Sequence, residues 1–450
     1  MGYYDGIGMT EEASTYQVAR ALRAPAILVI GARGMASSVL AVLEGFLCHK
    51  ADSNIRGVIF NQLSGRLYER LKDQVCSLGV EPLGYLPSDR RVEIGSRHLG
   101  LVTADEIADL KEKMNILSQR MEETVDIGGI LRLAEEAEPL DAEMPESIAS
   151  AARRMRKYFS AEAAEIRPPG DASKNHHIIR LNLRVIRPRI AVAQDEAFCF
   201  TYRANLDLLR QLGAELISFS PLSDAGLPQD IDGLIISGGY PELHAAELEK
   251  NESMRMAVKS AIQGGMPVIA ECGGFMYLHQ ELEGISEQSC MEDGCEEKDD
   301  CLKRSKALPE ACEGIITRPP KVGKEDRRLQ ERGTSGFCYK MYKMAGAVDG
   351  VCSKKDRLVR FGYIEITAEK DGMLADAGER LRAHEFHYWD STENGADFLA
   401  EKADRSKSWR CAVSTETMYA GFPHLFFCSS PSASERFVKK CAEYRKRRRI

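Results

Sequence analysis

Short apolar runs alternate with stretches of helical spacing along most of the chain. Ala26-Ile27-Leu28-Val29-Ile30, bounded by Pro25 and Gly31, is too short for a buried helix and suits a strand covered on both faces. A helical pattern from about Ala36 to Cys48 follows, then a strand at Gly57–Asn61, a helix at Leu67–Leu78 and a short strand at Leu83–Pro87. Residues 105–165 are rich in Ala, Glu, Leu, Met and Arg and read as largely helical, whereas residues 166–187 are polar, contain Pro168-Pro169-Gly170 and read as a linker. The alternation restarts with a strand at Arg189–Ala193, a helix at Asn205–Leu212, strands at Leu216–Phe219 and Gly233–Ser237, a helix at Met254–Gln263 and a strand at Pro267–Glu271. Strands alternating with helices predict two doubly wound α/β sheets. Residues 285–340 break the pattern, being polar, Cys-rich and without periodicity, and regular structure resumes at Leu358.

Composition narrows the class without changing the fold. The 450 residues are enough for two or three domains of the usual ~100–200 residues. With 44% hydrophobic and 29% charged residues and a net charge of -7, the chain reads as a globular protein rather than a nucleic-acid binder. The basic tail Lys439, Lys440 and Arg445–Arg449 reads as a solvated helix end. No apolar stretch reaches the ~18 residues of a membrane span, and Met1–Gly6 lacks the basic and apolar regions of a signal peptide. Thirteen cysteines without the even density of a secreted disulfide scaffold point to a reduced, cytoplasmic protein.

The strongest chemical signal is Val268-Ile269-Ala270-Glu271-Cys272-Gly273-Gly274. A buried strand turns sharply into a helix with Cys272 at the turn, the layout of a nucleophile elbow. A thiol at a helix N-terminus also has its thiolate favoured by the helix dipole. Ser237-Gly238-Gly239-Tyr240-Pro241-Glu242 follows a second buried strand, where glycines let backbone N–H groups approach an oxyanion.

These two segments resemble the GGYPE and ECGGxMYL motifs of the glutamine amidotransferase domain in the cobyrinate a,c-diamide synthase family. Asp195–Tyr202 is similar to the family's D-x-AFxFxY segment, and Gly213–Leu222 to its GAEL-x-x-FSPL. Arg360-Phe361-Gly362-Tyr363 and His384-Glu385-Phe386-His387-Tyr388 match RFGY and HEFHY. The resemblance implies a class I glutamine amidotransferase-like α/β domain over residues 188–445, with glutamine bound around Gly238, Gly239, Tyr240 and Gly273. The chain has nine histidines, and the resemblance places the general base in Gly421–Phe427, at His424. The family's second histidine there is Phe426 and its preceding tyrosine is Phe422; His384 and His387 are the rival bases.

Residues 1–110 resemble the ATP-dependent synthetase domain of the same family, a P-loop, dethiobiotin-synthetase-like parallel sheet, and the domain is taken to run over residues 1–165. Met1–Gly6 matches its E-G-V-M-G-L-Y-D-G segment, entered part-way through, and Gly57–Asn61 and Arg97–Leu101 also match. The resemblance assigns Asp5 and Asn61 to ATP, Mg²⁺ or substrate. No G-x-x-x-x-G-K-[ST] phosphate loop occurs in the sequence, and Gly31–Ser38 has the wrong spacing and no Lys. The chain is therefore expected to be truncated or misassigned at its start, with true loss of the ATP site, or its supply by another chain, as the alternative. Weak ATP binding and an unpaired edge in the first sheet are expected.

Cys290, Cys295, Cys301, Cys312 and Cys338 lie in the insertion at about 285–340. Their spacing is not a standard zinc or iron–sulfur spacing, so no metal ligand is assigned. A polar surface loop is the plain reading and a metal site the alternative.

What the resemblance implies is ATP- and glutamine-dependent amidation of the a and c acetates of cobyrinate in cobalamin biosynthesis. Hydrogenobyrinate or nickel-sirohydrochlorin is the alternative substrate. A glutaminase-only or non-catalytic tetrapyrrole-binding relative is the alternative class. Partners are then glutamine and the corrin, with no nucleic acid and no membrane, and a homodimer is compatible with this reading.

Overall fold

Runs of β-branched and apolar residues become parallel strands in two separate units, Met1–Met144 and Pro145–Ile450, of a computed structural model that describes residues 2–8, 10–94, 107, 109–140, 143–165, 187–286 and 338–449. In the first unit the chain runs α1 (Thr15–Leu22), β1 (Ala26–Gly31), α2 (Ser38–His49), β2 (Ile55–Asn61), α3 (Gly65–Ser77), β3 (Glu81–Leu86), α4 (Leu110–Thr124) and α5 (Ile127–Glu135). The strands form a parallel sheet in the order β1-β2-β3. Val58 and Phe60 on β2 are wholly buried and pack with Val39, Leu43, Leu71 and Val75 of α2 and α3. β1 is an edge of this sheet among the described residues, and Val29 on it is 60% exposed. Arg97–Leu101 lies outside the described residues.

The second unit begins with α6 (Glu146–Glu165) and continues β4 (Arg189–Ala193), α7 (Arg203–Gln211), β5 (Glu215–Phe219), β6 (Gly233–Ile236), α8 (Ala245–Lys250), α9 (Glu252–Gln263), β7 (Val268–Glu271) and α10 (Gly273–Leu278). After α10 come β8 (Glu281–Ser286), β9 (Cys338–Lys343), β10 (Val351–Lys354), β11 (Arg360–Ala368), β12 (Arg380–His387) and β13 (Trp389–Ser391). The chain closes with β14 (Phe398–Lys402), β15 (Ser408–Cys411), β16 (Val413–Ser414), β17 (Met418–Gly421), β18 (His424–Leu425) and α11 (Pro431–Arg449).

A six-stranded sheet, β16-β17-β7-β6-β4-β5, is parallel from β17 to β5. All four residues of β6, β7 and β17 are buried, as strands covered on both faces require. A second sheet, β15-β14-β11-β12-β18, is antiparallel. Its β12 alternates buried and more exposed positions, the signature of a sheet with one covered face. RFGY and HEFHY are neighbours in that sheet, with Phe361 opposite Phe386 and Tyr363 opposite His384. A smaller sheet, β13-β10-β8-β9, completes the unit.

The helix over 146–165 belongs to the second unit. Met155 and Phe159 share the core of α7 and α11, and Arg154 Nη2 holds the buried Glu435 carboxylate of α11 at 2.7 Å. Residues 166–186 and 287–337, including Cys290, Cys295, Cys301 and Cys312, lie outside the described residues. No group of three or more His, Cys, Asp or Glu among the described residues could hold a metal ion. No helix among them is long and apolar enough to cross a membrane.

Candidate active site

Three carboxyl-terminal strand ends of the parallel sheet meet at Cys272, the place where open α/β sheets put their ligand sites. β7 delivers Cys272, β6 delivers the Ser237–Tyr240 loop, and β17 leads through Pro423 into His424. Register accounts for the meeting: Gly421 lies beside Glu271, and Cys272 N donates to Gly421 O at 2.8 Å. Cys272 has φ 49° and ψ -104°, a costly backbone for a residue with a Cβ. Its neighbours hold it there, since Met276 N donates to Cys272 O at 2.9 Å and Gly274 N to Ser237 O at 3.0 Å.

The glycines allow the close approach. A Cβ on Gly274 would fall 1.9 Å from Ile236 O, and one on Gly238 would fall 2.4 Å from Cε1 of His424. Gly273 abuts the Gly238–Gly239 turn, and Tyr240 N, donating to Ala197 O at 2.9 Å, anchors the far end of that turn. Among the described residues the N–H groups of Gly239 and Gly273 donate to no carbonyl or side chain. A Cβ on Gly273, the residue after Cys272, would lie 3.0 Å from Gly239 N, so the two glycines are neighbours and their N–H groups are the candidates to hold an oxyanion.

His424 is buried and within hydrogen-bond reach of the Cys272 thiol. Its Nδ1 lies 3.7 Å from Oε2 of Glu271, which is buried as well. Burial is the largest influence on the ring and opposes its charged form. Cys272 and then Glu271 together outweigh burial and raise the ring to about 10. The Phe200 ring meets the imidazole edge to face at 4.9 Å.

The rival histidines are employed elsewhere. His387 is stacked on Phe422 at 3.9 Å, its Nδ1 is bound to Trp389 O at 2.6 Å, and burial pushes it down to about 4. His384 pairs with His424 across β12 and β18 but is ringed by Phe361 and Tyr363, and burial lowers it too. Phe422, where the motif would have tyrosine, thus serves as the platform for His387.

Two residues escaped the sequence reading. Asn205 donates from Nδ2 to Leu425 O at 2.7 Å and accepts from Phe427 N at 2.9 Å, fixing the segment that carries His424. Its signal was a polar residue on the otherwise leucine-lined buried face of an amphipathic helix. Glu271 was visible only as part of the motif, and its neighbour in space is more than 150 positions away in the chain.

Asp5 and Asn61 belong to the first unit and are not part of this constellation. Asp5 is exposed and accepts from Gly2 N at 2.7 Å, and Asn61 is exposed at the carboxyl end of β2. No hydrogen bond joins them among the described residues.

Residues 189–296 match the family model of the CobB/CobQ-like glutamine amidotransferase domain. Over 99% of its length the chain is 30% identical to a cobyrinate a,c-diamide synthase from Caldanaerobacter subterraneus subsp. tengcongensis, of which it covers 80%. It is 32% identical to one from Dehalococcoides mccartyi, over 98% of this chain and 79% of that one. A hydrogenobyrinate a,c-diamide synthase from Streptomyces coelicolor is 31% identical over 98% of this chain and 79% of its own.

Proposed function

Because the chain belongs to the cobyrinate a,c-diamide synthase family, we propose that it hydrolyses glutamine at Cys272 and passes the ammonia to the a and c acetate carboxylates of cobyrinate, in cobalamin biosynthesis. The observation that supports this most is the meeting of Cys272, His424 and two backbone N–H groups, unpaired among the described residues, at the carboxyl end of the parallel sheet.

Each group then has a role. The thiol proton of Cys272 passes to His424, and the sulfur attacks the amide carbon of glutamine. The carbonyl electrons move to oxygen, where the N–H groups of Gly239 and Gly273 hold them. His424 returns the proton to the amide nitrogen, the C–N bond breaks, and ammonia leaves a thioester. Water, deprotonated by His424, attacks the thioester; the C–S bond breaks, the sulfur is reprotonated and glutamate departs. Tyr240 and Gly238 shape the wall on which the glutamine lies.

ATP and Mg²⁺ belong to this proposal as phosphoryl donor and counter-ion of the carboxylate activation. Asp5 and Asn61, both exposed, offer one carboxylate and one amide, and no phosphate-loop sequence accompanies them. That set by itself does not make a nucleotide site. The hydrogenobyrinate reading stands beside the cobyrinate one because a relative of that name is equally similar.

The test is glutamate release from glutamine by this chain and by Cys272→Ala. The expected result is release that falls by about 10³-fold or more in the variant, since the nucleophile is removed. Equal release by both, or none by either, would overturn the proposal.

A further inference from the structure

We propose that Glu271, the residue immediately before the nucleophile, is the carboxylate that positions His424 for Cys272. This rests on the glutaminase reading above and deepens it. The two oxygens of Glu271 are divided between the backbone and the ring of one short segment. Oε1 accepts from Leu425 N at 3.0 Å, and Oε2 lies 3.7 Å from Nδ1 of His424. Glu271 therefore holds the residue beside His424 and faces its ring at once, leaving the other ring nitrogen for the thiol.

A buried carboxylate without a partner would be costly, and these are the partners it has. Strand register makes the arrangement inevitable once β17 pairs with β7, because Glu271 lies opposite Gly421, three residues before His424. The position two residues beyond His424 cannot do the work, for it holds Phe426, whose ring is 42% exposed. Glu385 is the other buried carboxylate in range. Burial raises it to about 7, its Oε2 has no partner among the described residues, and its nearer groups are Arg360 and Trp409. Facing His424 are thus Cys272 and Glu271 from the elbow, His384, Glu385 and His387 on β12, and Tyr202 ahead of α7. Among the carboxylates of the described residues, Glu271 combines proximity to the ring with a backbone anchor on its segment.

The decisive variant is Glu271→Gln, which keeps an acceptor for Leu425 N and removes the charge. The proposal expects the glutaminase kcat to fall by about 10²-fold or more, with KM for glutamine changed by less than about threefold, the scale of a proton-transfer group set out of place. It also expects the His424 ring, followed by NMR in a Cys272→Ser background, to titrate at lower pH once the negative neighbour is gone. A purely structural role would leave that titration unmoved. Wild-type kcat, or an unshifted ring titration, in folded Glu271→Gln overturns the assignment. Should that variant not fold, Glu271→Asp withdraws the carboxylate by one methylene: lowered kcat and a lowered ring titration are expected, and wild-type values of both overturn it. Loss of activity in Cys272→Ala together with wild-type activity in Glu271→Gln removes only the Glu271 role. Activity that survives Cys272→Ala removes the glutaminase reading itself.

Discussion

Cys272 and Glu385 show how far single residues are shaped by surroundings rather than by type. Cys272 keeps a left-handed φ because strand β7, helix α10 and the Gly238 turn leave no other path for the backbone. Glu385 is 2% exposed, and burial lifts its carboxyl to about 7. The sign of its effect on stability follows from linkage. In the unfolded chain it ionises near the ordinary carboxylate value, while the folded state keeps the proton until about pH 7. Between those limits the unfolded state binds fewer protons, so the Glu385 contribution weakens as pH rises and is constant above. Glu385→Gln should therefore stabilise the protein by about 1–3 kcal/mol more at pH 7.5 than at pH 5 in urea denaturation. An equal effect at both values would show that the carboxyl is ionised throughout. His387, pushed down to about 4, works in the opposite direction, since its unfolded ring takes up a proton as pH falls below its ordinary value. Comparing each variant with wild type at the same pH removes that opposing trend.

At the scale of elements, α7 and β18 form the working pair. β18 has two residues, too few to hold its own register, and it borrows rigidity from Asn205, whose amide bonds to the backbone on both sides of Phe426. Asn205→Ala should cost about 2 kcal/mol in denaturant unfolding, for two buried hydrogen bonds lost. It should lower glutaminase kcat by about 10-fold or more through displacement of His424. A stability loss with kcat intact would mean that Glu271 alone places the histidine. The parallel strands β4 to β7 were legible in the sequence because each is a local, continuous apolar run, whereas β17 (Met418–Gly421), which joins the same sheet beside β7, was not read. The antiparallel β11–β12–β14 sheet was not, because its strands mix polar and apolar positions and are paired across distant segments. Helix α6 was legible as a helix, but its partners were not, since an apolar helical face does not say which core it will meet.

The whole molecule joins the proposed glutaminase site in Pro145–Ile450 to a first unit whose sheet, three-stranded among the described residues, carries Asn61 at a strand end, and no phosphate-loop sequence occurs in the chain. Calorimetric titration of this chain with Mg²⁺–ATP should accordingly show no saturable binding below about 1 mM, because the backbone cradle and Lys that hold phosphates are lacking. A Kd below about 100 µM, some 5.5 kcal/mol of binding, would reveal a nucleotide site of a different construction. Glutamine hydrolysis should proceed without ATP, since every group assigned to it lies in the second unit.

The sequence by itself determined the alternation of strands and helices, the elbow at Cys272 and the glycines beside it. Each of these is written in a few consecutive residues, where chain stiffness and side-chain size act directly. Motif resemblance carried His424 as far as a candidate. Only the tertiary structure decided that His424, and neither His384 nor His387, faces the thiol, and that Glu271 and Asn205 hold it there. Those contacts join residues some 150–220 positions apart, and strand pairing, not local sequence, brings them within reach.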